Sequence, residues 1–188
     1  MSVADRSIDP RIMESAKGEF LQKGFLDASL QVICKNAGVT TGALYKRFKG
    51  KEELFCALVE STVQDLEEVV RQKSVLPATL TDEQLKKAWD MDREYMQWWF
   101  DYLYDRYDEM RLLLVFSDGT KYANFEHEWV ESMSHTTYAY YKEAQRRGLT
   151  KTDISEKEMH VMLSSFWTAI CEPLVHGLQR RRQGAYPI

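Results

Sequence analysis

The stretch from Asn36 to Leu54 limits the fold more than any other, because it places a helix stop, a bend and two helix starts in nineteen residues. Gly38 supplies the left-handed backbone that ends one helix, and Val39 drops an apolar side chain into the bend. Thr40 or Thr41 can cap the next helix by accepting its free amide hydrogens. That helix has Leu44, Tyr45 and Phe48 on its inner side and a basic outer face. Gly50 caps a further helix, with Glu52 and Glu53 facing the positive end of its dipole. Parts in this order make a helix-turn-helix. The middle helix is too short to be stable alone and must be held by its neighbours.

The flanking sequence supplies those neighbours. Residues 1–8 read as a disordered arm, and Asp9-Pro10 reads as a helix start, a cap followed by a first-turn proline. Ile12, Met13, Ala16, Phe20 and Leu21 then share one helical face up to Gly24, and Phe25 is expected to pack back on it. Ser29 caps a second helix whose apolar positions Leu30, Ile33, Cys34 and Ala37 recur at spacings of three and four. After the short third helix, Leu54, Phe55, Leu58, Val59, Leu66, Val69 and Val70 carry a fourth to about Lys73. Ser74 to Thr81, with Pro77, reads as a linker. A long fifth helix is expected from Asp82 to about Tyr107, and a short one from Glu109 to Phe116, closed by Ser117, Asp118 and Gly119. Another long helix runs from about Lys121 to Arg147 and stops at Gly148. The last starts at Ser155, in capping-box register with Glu158, and heads toward Gly177 with an interruption at Pro173. No stretch alternates with period two for the length of a strand, so the fold class is all-α.

Charge narrows the reading. The net charge of -4 hides an asymmetry, since residues 1–60 carry nine Lys/Arg against eight Asp/Glu and residues 61–188 carry sixteen against twenty-one. Ala28 to Lys51 contains Lys35, Lys46, Arg47, Lys49 and Lys51 and no acid, a compact basic patch suited to phosphate. No run of about 18 apolar residues spans a bilayer, and Asp5, Arg6 and Asp9 stand where a signal peptide would be apolar. A cytoplasmic protein without a membrane partner is expected. Cys34, Cys56 and Cys171 are odd in number and far apart, which suggests reduced thiols rather than disulfides or a zinc site.

Ile33, Ala37-Gly38-Val39, Thr40, Gly42, Leu44-Tyr45, Phe48 and Lys51-Glu52 with Leu54, preceded by an amphipathic helix and Gly24-Phe25, resemble the TetR family of bacterial transcriptional regulators. The resemblance covers roughly residues 8–60, and the remainder adds only compatible helix lengths. It implies a helix-turn-helix DNA-binding domain at residues 1–50, extended by a linking helix at 51–73, and a helical ligand-binding and dimerisation domain at 74–188. It also implies a homodimer that sets two recognition helices into successive major grooves of a palindromic double-stranded DNA operator, released by a small-molecule effector. Similar proteins use Thr or Ser at the positions of Ser29 and Thr40 for phosphate, Thr41, Gly42, Ala43 and Lys46 for the groove, and Tyr45 and Lys51 for phosphate. From the side chains themselves, Thr41 and Ala43 can offer methyl contacts to thymine, and Lys46 or Arg47 can hydrogen-bond guanine. Arg47 can equally pair with Glu52 or Glu53, and Gln31 on the second helix can reach DNA or remain solvated.

A wheel at roughly 100° per residue puts Leu85, Ala88, Trp89, Tyr95, Met96, Trp99, Tyr102, Leu103 and Tyr107 on one side of the fifth helix, with Asp92 and Arg106 among them. Charges on an apolar face are either paired structurally or used, because burying one alone is costly. In the second case Asp92, Tyr95, Met96, Trp99, Tyr102 and Arg106, with Trp129, Met133 and Phe166 from later helices, line an aromatic pocket. Its occupant would be flat and largely apolar, and the acidic balance allows a cationic one. His127, Glu131 and His135 fall at i, i+4 and i+8, but the wheel turns Glu131 roughly 170° away from the inner face set by Trp129, Met133, Tyr140 and Ala144. A solvated stripe fits better than a metal site. No nucleophile and base share a motif and no glycine loop cradles phosphate, so neither an enzyme nor a cofactor is expected. After Leu178 the sequence Gln179 to Pro187 holds no apolar period for a further helix, so either a dimer rests on the helix from Ser155 to Leu178 and part of the one before it, or it is weaker than is usual in such proteins. Two readings follow: a ligand-responsive DNA-binding repressor, or a helical small-molecule-binding or interaction protein that keeps the scaffold without sequence-specific DNA binding.

Overall fold

Glycines and side-chain caps set the ends of most helices in this chain. The structure, a computed structural model, describes residues 8–77, 79–87 and 92–180, and every regular element among them is an α-helix. In order these are α1 (Ile8–Asp27), α2 (Leu30–Ala37), α3 (Thr41–Tyr45), α4 (Lys51–Lys73), α5 (Asp82–Lys87), α6 (Arg93–Asp105), α7 (Tyr107–Val115), α8 (Phe125–Arg146) and α9 (Glu156–Val175). The chain forms two compact units, one of the described residues up to Gln64 with Tyr107–Phe125, the other of Asp65–Arg106 with the described residues from Glu126 onward. Segment 107–125 therefore packs with the N-terminal helices, although in sequence it lies well beyond the linker.

In the first unit, Ile12, Ala16, Phe20, Ile33, Leu44, Leu54 and Phe55 are all fully buried. Phe20, Phe25 and Phe55 meet with ring centroids 5.2 to 6.0 Å apart, two of the three pairs edge to face. Phe25 reaches this cluster because α1 breaks at Gly24, whose φ of 74° is open to glycine at little cost. The break also frees the Phe25 N–H to donate to the Phe116 carbonyl at 3.0 Å, which ties the end of α7 to the end of α1. Phe25 thus packs against the first helix as expected.

The second unit is built around Leu85, Trp99, Leu103, Trp129, Met159, Trp167 and Ile170, all buried. Arg147 closes one end of it, donating to Glu143 at 2.6 Å, Asp82 at 3.0 Å and the Leu80 carbonyl at 2.6 Å. Hydrogen bonds from Arg146 and Arg147 hold the Glu143 carboxyl at about 2, well below its ordinary range. Ser155 and Glu158 form the expected capping box at the start of α9. Cys34 and Cys171 are buried and Cys56 is half-buried; burial pushes the Cys171 thiol far up, so it stays protonated.

Several sequence expectations need correction. The long fifth helix is two helices, for α5 ends at Lys87 and Asp92 is an extended N-cap whose carboxylate accepts the Tyr95 N–H at 2.8 Å. Ala88 and Trp89 lie outside the described residues, as do the arm before Ile8 and the tail after Arg180. Asp9 is a first-turn residue of α1 rather than its cap. Pro173 does not interrupt α9, which runs past it to Val175; it stands in the last turn, so its effect falls at the end of the helix rather than within it. Tyr45 is 53 % exposed and not part of the inner side, since α3 ends there and Leu44 alone turns into the core.

Phe55→Ala is expected to cost about 3 kcal/mol or more, measured by chemical denaturation, because it empties the centre of a three-ring cluster. A loss below about 1 kcal/mol would show that this cluster does not hold the unit.

Candidate functional site

The turn between α2 and α3 is tied by hydrogen bonds to the helices on either side. Gly38 is left-handed with φ 66°, its N–H and that of Val39 donate to carbonyls at the end of α2, and the Thr40 hydroxyl accepts the Ala43 N–H at 3.2 Å. Thr40, not Thr41, is therefore the cap. Leu44 anchors α3 in the core, while Thr41, Gly42, Tyr45 and Lys46 are exposed and Ala43 is half-buried. Gln31 is exposed on α2, whose cap Ser29 accepts the Val32 N–H at 3.5 Å and donates its own N–H to Glu19 at 3.1 Å.

Two basic residues expected at DNA are engaged inside the unit. Arg47, its side chain only 17 % exposed, pairs with Asp9 on α1 and donates to the Ala43 carbonyl at 3.1 Å. Its partner is neither Glu52 nor Glu53, because the turn after Tyr45 carries the guanidinium toward the first turn of α1. Lys51 donates to the carbonyls of Leu26 and Ala28 at 2.9 and 3.1 Å, with its ammonium 4.8 Å from the Phe25 ring centre. It neutralises the carbonyl-rich end of α1. Exposed positive charge on the segment is thus left to Lys35, Lys46 and Lys49.

The second unit holds a cavity of about 480 Å³, lined by Lys73, Tyr95, Trp99, Trp129, Val130, Met133, Thr136, Thr137, Tyr140, Met159, Met162, Leu163, Phe166 and Trp167. Of the residues expected to line it, Tyr95, Trp99, Trp129, Met133 and Phe166 do. Asp92, Met96, Tyr102 and Arg106 do not. Asp92 is occupied as the α6 cap. Arg106 pairs with Asp65 at 2.6 Å and lies 4.1 Å over Tyr102, itself stacked on Trp98, and these side chains back the cavity wall through Trp99 rather than line it. Burial raises the Tyr102 hydroxyl to about 12. Lys73, Val130, Thr136, Thr137 and Leu163 carry no sequence signal that sets them apart, whereas Tyr140, Met159, Met162 and Trp167 have the aromatic and Met spacing that marks them as inward. His127, Glu131 and His135 are all exposed; His127 lies against His160, and His135 is 2.9 Å from Glu156.

Residues 12–58 match the model of the family described as bacterial regulatory proteins, tetR family. The HTH-type transcriptional regulator SrpR of Pseudomonas putida is 42% identical over 57 residues, which are 30% of this chain and 27% of that protein. The HTH-type transcriptional regulator UidR of Escherichia coli is 39% identical over 49 residues, 26% of this chain and 25% of that one. The chain thus spans about a quarter of the length of these two relatives. Among solved structures, SCO3833 of Streptomyces coelicolor superposes with a TM-score of 0.64 at 19% identity, over 93% of this chain and 81% of that one. FadR of Bacillus subtilis, in complex with stearoyl-CoA, gives 0.55 at 17% identity over 89% and 86%. At these identities the likeness is one of fold, and it extends over both units.

Lys51→Met is expected to destabilise the fold by about 1 kcal/mol, since two carbonyls lose a charged donor, whereas Lys46→Met should stay within about 0.5 kcal/mol. Equal stability of the two variants in denaturant titrations would show that Lys51 does not serve the fold.

Proposed function

The chain belongs, through its N-terminal domain, to the TetR family of bacterial transcriptional regulators, and on that premise we propose that it is a ligand-responsive repressor that binds a palindromic operator as a homodimer. The observation that carries this reading is the division of labour on α3. Its inner residue and its cap hold the helix in place, and Thr41, Gly42, Tyr45 and Lys46 are left outward. Thr41 and Ala43 offer methyl groups, Gly42 allows close backbone approach, and Lys46 offers a donor to a base edge or a phosphate. Ser29, Thr40, Tyr45 and Gln31 flank them for the sugar-phosphate backbone. DNA binding falls to residues 1–50 with α4 as the linking helix, and effector binding and dimerisation to residues 74–188 with Lys73 at the border.

One copy of so short a helix reads too few base pairs to be selective, which is why a dimer belongs to the reading. Support for it comes from α9, where Val161 and Met162 are 63 % and 59 % exposed and lie near the exposed small residues Ser165, Thr168 and Ala169. The cavity of the second unit supports an effector of flat, largely apolar shape. FadR, of the same fold, is solved with stearoyl-CoA. No helix here is long and apolar enough to cross a membrane. Work on DNA with neither catalysis nor cofactor, in the cytoplasm, completes the reading.

The inward engagement of Arg47 and Lys51 favours the second reading, a helical small-molecule-binding or interaction protein that keeps the scaffold without sequence-specific DNA binding. A gel-shift titration with the protein's own upstream DNA separates the two. The repressor reading expects a shift that random DNA competes poorly, and Lys46→Ala should weaken it and flatten its log-log salt dependence by about one unit. No shift at low salt, or equal competition by random DNA, would favour the scaffold reading. Unchanged affinity of Lys46→Ala at every salt concentration would remove that residue from the interface.

A further inference from the structure

The cavity is chemically two-ended. Trp99, Trp129 and Trp167 meet at centroid distances of 5.3 to 6.3 Å, and Phe166, Met133, Met159 and Leu163 complete an apolar body. Along α8 the lining passes from Trp129, Val130 and Met133 to Thr136, Thr137 and Tyr140, which is apolar for the first turn and hydroxylic for the next two. The hydroxylic end is also where α4 finishes. Lys73 Nζ donates to the Tyr95 hydroxyl at 3.1 Å and lies 5.0 Å from that ring, and the neighbouring Ser74 hydroxyl is 3.4 Å from Thr136 Oγ1.

Among the described residues Lys73 is the only charged side chain lining the cavity, and no carboxylate lies within ion-pair distance of its ammonium. A half-buried ammonium beside neutral hydroxyls favours an anion, and a charge-assisted hydrogen bond is the strong kind. A cation placed in the same cavity would have the aromatic faces to attract it but the ammonium to repel it, with no carboxylate among the described lining residues to offset the repulsion. From this geometry we infer that the occupant is an amphipathic organic anion, a flat apolar body among the tryptophans with a carboxylate or similar group on Lys73, Tyr95 and Thr136. Lys73 is the specificity-determining residue. This sets aside the cationic effector that the acidic balance of the chain allowed, because overall charge does not describe the wall of one cavity. The inference rests on the reading of the cavity as an effector site.

Three probes that share a naphthalene ring and differ in the charge of the side chain test it: 1-naphthaleneacetate, 1-naphthaleneethanol and 2-(1-naphthyl)ethylamine, titrated calorimetrically into the full chain. The acid is expected to bind about tenfold tighter than the alcohol, with the amine weakest. Lys73→Met should bring the acid down to the level of the alcohol and leave the alcohol little changed, and Lys73→Arg should keep the order. An amine that binds as tightly as the acid, or an acid-to-alcohol ratio that Lys73→Met does not alter, overturns the inference and leaves the cavity reading standing. Absence of binding by all three overturns both. The wild-type order decides even if Lys73→Met fails to fold.

Discussion

A helix of five residues forms too few internal hydrogen bonds to offset its own ordering, and the first unit is arranged to hold α3 from outside. Leu44 is sealed in the core, and Thr40 caps the amide end. Arg47, two residues past the helix, reaches back to the Ala43 carbonyl and across to Asp9, so the exit from α3 is tied to the start of α1. Beneath these contacts, the Phe20, Phe25 and Phe55 cluster joins the C-terminal half of α1, on both sides of its break at Gly24, to α4. Among the described residues, the contacts that position α3 come from its inner side or its ends. Its outer residues are consequently free of structural duty, and this is what suits them to reading another molecule.

Much of this unit was legible because its signals are local. A glycine at a helix stop, a threonine three residues before the amide it caps and an apolar spacing of three and four each depend on a few neighbours along the chain. Tertiary partners are less accessible. Nothing near Lys51 in sequence points to the carbonyls of Leu26 and Ala28, twenty-five and twenty-three residues earlier. Asp9 as the partner of Arg47 is hidden for the same reason. In both cases a basic residue that suits phosphate is also the residue that can neutralise an internal carbonyl or carboxylate, and composition alone does not distinguish the two uses.

The second unit shows how a correct observation can carry a wrong boundary. Asp92 and Arg106 looked anomalous on the apolar face of one long helix, and the anomaly was real. They mark the two ends of α6, one as its N-cap and the other as its C-cap, each in non-helical backbone. Read as interior residues they suggested polar anchors for a ligand. As end residues they leave the cavity to Tyr95 and Trp99 of α6 and to the facing sides of α8 and α9. The polar anchor comes instead from Lys73, which sits in the last turn of α4, where a basic residue also favours the helix dipole. That ordinary placement is why the sequence did not set it apart.

In the proposed function, an outward-facing short helix becomes selective only when two copies of it are used together. The most direct measurement is the mass of the complex on a duplex from the protein's own upstream DNA, by sedimentation at micromolar protein. Two protomers per duplex, on half-sites about one helical turn apart, is the result expected. A single protomer bound with full selectivity, or no complex at any salt concentration, would contradict it.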